Sequence, residues 1–97
     1  MYITYATIPV PSERTHQVEA FLQRYLAQVG KLPGVRAVYH HFRPDKGDEM
    51  TLIVWESEAD ARRYQDSDLL RGAGRYAKAL GLGNARREGY DLPFAHP

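Results

Sequence analysis

Apolar residues alternate with polar ones in some stretches of the chain and recur at helical spacing in others. Residues 2–8 alternate and predict a first strand, which Pro9 ends because proline cannot donate a hydrogen bond to a neighbouring strand. The next run carries an apolar stripe at spacings of three and four residues, which predicts a helix that Ser12 caps and Gly30 ends. The stripe consists of Val18, Phe21, Leu22, Tyr25, Leu26 and Val29.

A β-hairpin is predicted after this helix. Residues 35–43 read as a second strand and residues 50–56 as a third, and the polar segment 44–49 contains a glycine suited to a turn. Asp45, Asp48 and Glu49 belong to this segment and are expected to be solvated turn residues.

Between Thr51 and Leu70 the spacing of apolar residues changes within a few positions from that of a strand to that of a helix. The strand closes with Trp55, and Ser57 then offers a helix cap, since a hydroxyl can accept a hydrogen bond from a free backbone N–H. Ser67 offers a second cap, so two short helices are predicted between residue 57 and about residue 80, followed by a last strand over residues 84–91. The order β-α-β-β-α-β, with the second helical element split, predicts an α+β, ferredoxin-like fold with a four-stranded antiparallel sheet.

Both faces of the predicted sheet are apolar or aromatic, as Tyr39 and Phe42 or Leu52 and Ile53 illustrate. The chain's own helices cover only one face of such a sheet. We therefore expect a homodimer packed sheet against sheet.

Composition narrows the functional classes. The 97 residues, 43% hydrophobic and 26% charged, are expected to form a single domain over residues 1–97. The net charge of +1 gives no electrostatic reason to expect nucleic acid, and no apolar run is long enough to span a membrane. The chain has no cysteine, which excludes thiolate chemistry, and no signal-like N-terminus, so a cytoplasmic location is expected.

The segment WESEADARRYQDSDLL resembles the hinge region of the antibiotic biosynthesis monooxygenase family. Members show a strand-end tryptophan, a charged residue and a serine, then a helix, then a serine and an acidic residue that open the next helix; here these are Trp55, Glu56, Ser57 and Ser67-Asp68. The resemblance extends to about Leu80. It implies a dimeric α+β barrel whose subunits each hold a pocket between sheet and helices.

The resemblance also implies an activity. Oxygenases of this family let molecular oxygen attack a phenol or quinol without metal or flavin, so we expect a small aromatic substrate and no cofactor. Haem-degrading members of the superfamily carry a ligating histidine where this chain has residues near Gly74, and no histidine lies between His41 and His96. Haem degradation is therefore not expected.

The candidate catalytic residues are Tyr5, His40 and His41. A tyrosine hydroxyl can donate a hydrogen bond or exchange a proton, and histidine titrates near neutral pH. Adjacent strand residues point to opposite faces, so the two histidines are not expected to share a metal, and at most one faces a pocket. A buried structural tyrosine and surface histidines are the competing interpretations.

The candidate substrate-binding residues are Trp55, Thr7, Ile53, Arg71 and Tyr76. Trp55 is expected to wall the pocket and stack on an aromatic ring, with Tyr5, Thr7 and Ile53 on strand faces that could share its side. The alternative is that Trp55 simply packs the core. Arg71 is a candidate for holding a substrate oxyanion, although a solvated helix surface is the usual place for arginine.

Three functions remain open at this point. The first is a cofactor-independent monooxygenase of a phenolic or quinol substrate. The second is a non-catalytic dimeric module that binds a small ligand or only assembles. The third is an isomerase on the same scaffold, which would transfer protons without oxygen.

Overall fold

The computed structural model describes residues 1–94 and has four strands and three α-helices. The elements are β1 (Tyr2–Pro9), α1 (Thr15–Val29), β2 (Val35–Arg43), β3 (Asp48–Trp55), α2 (Glu58–Gln65), α3 (Asp68–Ala79) and β4 (Arg86–Asp91), with a short 3-10 turn at Ser12–Arg14 before α1. The strands form one antiparallel sheet in the order β2-β3-β1-β4. The predicted α+β, ferredoxin-like architecture is confirmed.

The strand register decides which residues face the helices. Tyr2 pairs with Trp55, Thr4 with Ile53, and every second residue along each strand lies on the same side. On β1 the helix-covered face therefore carries Tyr2, Thr4, Ala6 and Ile8. The opposite face, which we call the open face, carries Ile3, Tyr5 and Thr7 together with their partners on the other strands.

The core lies between the covered face and α1. The stripe predicted on α1 supplies four of its buried residues, and β3 supplies Ile53 and Trp55. Trp55 is 1% exposed, its indole N–H donates to the Thr4 hydroxyl at 3.0 Å, and its ring packs against Tyr64 of α2. Trp55 therefore joins β1, β3 and α2.

Helix starts were predicted correctly after β3 but not before α1. Ser57 and Ser67 accept hydrogen bonds from the backbone N–H groups of Asp60 and Leu70, as expected of helix caps. Ser12 does not cap α1, because the chain first makes the 3-10 turn. The cap position of α1 is occupied by Arg14, whose side chain makes no capping hydrogen bond.

The β2–β3 turn is shorter than the sequence suggested. β3 begins at Asp48, so Asp48 and Glu49 are strand residues, and the expectation that both are solvated turn residues was wrong. Asp48 pairs with Arg43, whose guanidinium lowers the pKa of this carboxyl. Glu49 lies on the covered face and is buried.

Gly34 makes the connection from α1 to β2 possible. Its φ of +86° lies in the left-handed region, and a Cβ at this position would overlap the carboxyl of Asp60 at the start of α2. Its carbonyl accepts a hydrogen bond from the Glu56 backbone at 2.7 Å. The glycine therefore lets the turn contact the corner between β3 and α2.

Candidate active site

A cavity of about 820 Å³ lies between the covered face of the sheet and the helices. Its floor is formed by β1 and β3, its walls by α1, α2 and α3, and one end by β4 and the 82–85 loop. This volume is in the usual range for a site that binds a small organic molecule.

One wall of the cavity is a stack of aromatic rings. Phe21 of α1 packs between Tyr25 of the same helix and Tyr76 of α3, with ring centroids 5.2 Å and 4.1 Å apart and nearly parallel planes. All three residues border the cavity. A flat aromatic ligand can add a further ring to such a stack.

Two tyrosine hydroxyls meet beside this wall. Tyr25 of α1 and Tyr64 of α2 are hydrogen-bonded with 2.5 Å between their oxygens. Burial raises the pKa of both phenols, whereas the positive charge of Arg87 on β4 acts in the opposite direction on each. One O–H of the pair is used in this bond, so the pair and Arg87 present one free O–H donor and a cation to the same part of the cavity.

A row of paired residues runs across the sheet from β2 to β4 and passes through the cavity floor at Thr51 and Ala6. His40 pairs with Thr51, Thr51 with Ala6, and Ala6 with Arg87. Neighbouring strands lie about 4.8 Å apart, so the backbones of Thr51 and Arg87 are roughly 10 Å apart. Because Ala6 between them has only a methyl group, the floor is open above it.

Glu49 stands beside this row and is a buried charged group, at 3% exposure. The Thr51 hydroxyl donates to its Oε2 at 2.6 Å, and His40 Nδ1 lies 3.4 Å from the same oxygen. Burial raises the pKa of Glu49, and Thr51 and His40 oppose that shift only in part. Glu49 also borders the cavity.

The structure brings some of the predicted site residues to this cavity. Ile53 and Tyr76 border it, and His40 lies on the covered face, next to Glu49. His41 lies on the open face. The two histidines therefore lie on opposite faces of the sheet.

Other predicted residues are placed differently. Tyr5 and Thr7 do not share the side of Trp55, because they alternate with Thr4 and Ala6. Tyr5 is among the residues that border the cavity, but its ring packs edge-on against Tyr90 on the open face. Arg71 pairs with Asp68 and with the Asp66 carbonyl on the outer surface of α3, away from the cavity.

Trp55 supports the site from within the core. It is fully buried and does not border the cavity, so the expected stacking contact with a ligand is not available to it in this structure. Its contacts with Thr4 and Tyr64, both of which border the cavity, position those two residues.

Four polar residues of the site were missed from the sequence. Tyr25 counted only toward the apolar stripe of α1, Glu49 was expected in a turn, and Tyr64 and Arg87 were not singled out. The signal that could have found Glu49 is its place two residues before Thr51, which puts both on one face of β3.

Within residues 1–94 no group of three or more histidine or acidic side chains is arranged to hold a metal ion. Glu19 and Glu49 contact opposite nitrogens of the His40 ring, so these three residues do not converge on one point. No helix of the described residues is long and apolar enough to cross a membrane.

Solved structures with the same fold come from several bacteria. One described as an antibiotic biosynthesis monooxygenase from Deinococcus radiodurans has a TM-score of 0.89 at 13% identity, covering 100% of this chain and 97% of its own. A Nitrosomonas europaea protein of unknown function has a TM-score of 0.78 at 16% identity, covering 99% and 92%. SnoaB from Streptomyces nogalater, a cofactor-independent oxygenase, has a TM-score of 0.71 at 17% identity, covering 99% and 97%.

At these identities the structural similarities establish the fold alone. No curated protein matches the sequence significantly. The family assignment comes from the sequence itself, because the family model described as antibiotic biosynthesis monooxygenase matches residues 1–75, which include β1, α1, the hairpin and α2. The chain belongs to the antibiotic biosynthesis monooxygenase family.

Proposed function

We propose that the protein is a monooxygenase of a small phenolic or quinol substrate and that it works without metal or flavin. The observation that carries the proposal is the aromatic cavity, in which the Tyr25–Tyr64 hydroxyl pair and Arg87 lie at one end. Membership of the family agrees with an oxygenase.

The substrate ring would lie above Ala6 and against the stack that Phe21 begins. The phenolic O–H would then point toward Thr51 and Glu49, and the para position, where oxygen is added, would face Arg87 and the tyrosine pair. There a cation and an O–H donor stabilise the negative charge that develops on oxygen. The helices cover this side of the sheet and limit the access of water.

The reaction balances without a further oxidant. A phenol with a hydrogen at the para position loses its O–H proton, and the resulting anion donates electrons to molecular oxygen. One oxygen atom becomes the new ring carbonyl, and the other leaves as water with the ring hydrogen and the phenolic proton. The product is a quinone. The protein's part is to bind the anion, orient it and accept the proton.

Oxygen uptake with a panel of phenols, hydroquinones and naphthohydroquinones tests this proposal. We expect at least one of them to be consumed, and we expect Tyr64→Phe to lower kcat/KM by about 10- to 150-fold, because a hydrogen bond to a charged oxygen contributes about 1.5–3 kcal/mol. Tyr39→Phe is the matched control, since Tyr39 lies on the open face and does not border the cavity.

The same panel separates the alternatives. Conversion that continues without oxygen would indicate an isomerase, and binding without any conversion would indicate a non-catalytic ligand-binding module. Uptake that is equal in the wild type and Tyr64→Phe would contradict the assignment of the tyrosine pair.

We further propose that two chains pair through their open faces, as the sequence predicted. Tyr39 and Tyr90 are 63% and 54% exposed there, and Leu52 lies between Tyr5 and Tyr39 at the centre. Exposed aromatic and aliphatic side chains that form one continuous face are typical of an interface. The two-fold pairing of identical sheets would cover this face.

Leu52→Arg should convert the dimer to a monomer. Two symmetry-related arginines would meet near the centre of the interface, where unpaired charge is strongly unfavourable. Light scattering at micromolar concentration measures the mass, with Ala27→Arg on the exposed side of α1 as the control. A wild-type protein that is already monomeric at this concentration would refute the dimer.

A further inference from the structure

Glu49 has an apolar setting on the sheet and two polar neighbours. Its direct partners on β1 and β2 are Ile8 and Phe42, and the side chain is 4% exposed. Thr51 and His40 both contact its Oε2, and the adjacent Asp48 is paired with Arg43. A carboxyl group in such a position is costly to bury, which calls for an explanation beyond packing.

His40 connects Glu49 with the protein surface. Its Nδ1 is buried and has no hydrogen-bond partner within residues 1–94, although Glu49 Oε2 lies only 3.4 Å away. Its Nε2 lies 3.5 Å from Oε2 of Glu19, a residue of α1 whose side chain is 40% exposed. The three side chains therefore form a line from the cavity to solvent.

We propose that Glu49 accepts the proton of the ligand in the cavity and that His40 passes it to Glu19 at the surface. The assignment rests on the proposed function for the use of the cavity as the ligand site. Glu49 would be a catalytic residue because it borders the cavity, whereas His40 and Glu19 would act through it.

The proton can be followed from atom to atom. It leaves a ligand O–H, whose electron pair stays on the oxygen, and binds the Glu49 carboxylate. Glu49 then protonates Nδ1 of a His40 ring that carries hydrogen on Nε2, and the Nε2 proton moves to Glu19 and to water. The ring regains its starting tautomer by exchanging its N–H protons with water, since the His40 side chain is 17% exposed.

Two physical features favour this route. The contacts of His40 are somewhat longer than good hydrogen bonds, as is common for proton-transfer groups before a ligand binds. Burial also raises the pKa of Glu49 toward the pH at which a general base is most effective.

The binding of phenol itself tests the role of Glu49 without turnover. An ionised Glu49 accepts the phenol O–H, whereas a protonated one does so poorly, so calorimetry from about pH 4 to pH 8 should show affinity rising as Glu49 ionises, above the normal glutamate range. Glu49→Gln keeps the shape and the acceptor for Thr51, and its affinity should not change with pH. Because His40, Glu19 and Asp48 remain in this variant, a flat profile assigns the dependence to Glu49.

A wild-type affinity that does not vary with pH would overturn the role of Glu49. So would a pH dependence that persists unchanged in Glu49→Gln. The variant Glu13→Gln, on the exposed turn before α1, serves as the control and should behave as the wild type.

Nitrogen NMR of the histidine rings tests the rest of the route in the wild-type protein, so it does not depend on a variant that folds. Saturation with phenol should shift the Nδ1 resonance of His40 toward its hydrogen-bonded value. His41 is the internal control, because it lies on the open face and should not shift. An unchanged His40 resonance at saturating phenol would overturn the route.

Turnover separates this inference from the proposed function. With any substrate that supports oxygen uptake, Glu49→Gln should lower kcat by about 10²–10⁴, the usual contribution of a general base. If Glu49→Gln takes up oxygen as fast as the wild type, the role of Glu49 is overturned, whereas the proposed oxygenase function is still supported. Phenol binding that depends on pH through Glu49, without any oxygen uptake, would support Glu49 as the proton acceptor and contradict the proposed oxygenase function.

Discussion

Replacing Trp55 with alanine should lower the free energy of unfolding by about 3–5 kcal/mol, the usual effect of removing a large buried aromatic side chain. Trp55 is 1% exposed and contacts residues of β1 and α2, so its removal leaves a cavity between elements that cannot close over it. Urea unfolding followed by circular dichroism measures the change, since the variant loses the chain's single tryptophan.

Trp55→Phe provides the comparison. It retains most of the ring volume and loses the hydrogen bond to Thr4, so its loss of stability should be much smaller than that of Trp55→Ala. If phenol binding at low temperature survives in the folded Trp55→Phe protein, the residue supports the cavity wall without touching the ligand. A loss of stability below about 1 kcal/mol in Trp55→Ala would contradict the packing described here.

The second large effect is expected at Ala6. Ala6→Phe would place a ring over the open part of the cavity floor, between Thr51 and Arg87, where the substrate is proposed to lie. We expect phenol binding to weaken by about a hundredfold or more, because a ligand would have to displace the new side chain at a cost of about 3 kcal/mol.

Calorimetry with phenol measures the affinity, and thermal unfolding measures the stability of the same samples. Stability should change little, since the new ring enters a cavity of about 820 Å³ and not a packed core. Ala27→Phe on the exposed side of α1 is the control and should bind as the wild type does. Unchanged binding in Ala6→Phe would place the ligand site elsewhere.

The sequence predicted the elements well because each had a clear period or a local cap. The stripe from Val18 to Val29 can bury one face only as a helix, and Ser57 and Ser67 satisfy backbone N–H groups within three residues of themselves. These are local properties. The start of α1 was misjudged because a 3-10 turn competes with a direct helix start, and a single serine does not distinguish the two.

The site was predicted less well because it depends on contacts between distant segments. β1 is apolar on both faces, so its pattern does not say whether Tyr5 or Thr4 faces the helices; the register with Trp55 decides it. The Tyr25–Tyr64 pair joins residues 39 positions apart. Glu49 looked like a turn residue because Asp48 and the polar segment precede it.

The alternation along β1 gives neighbouring residues unrelated tasks. Thr4 and Ala6 shape the chamber that a ligand would occupy, whereas Tyr5 and Thr7, one position away, belong to the face that would meet a second chain. Point substitutions can therefore change ligand specificity and dimer formation independently of each other. Insertion or deletion of one residue in this strand would exchange the two sets at once, so we expect lineages of this fold to diversify at β1 by replacement and to keep its length.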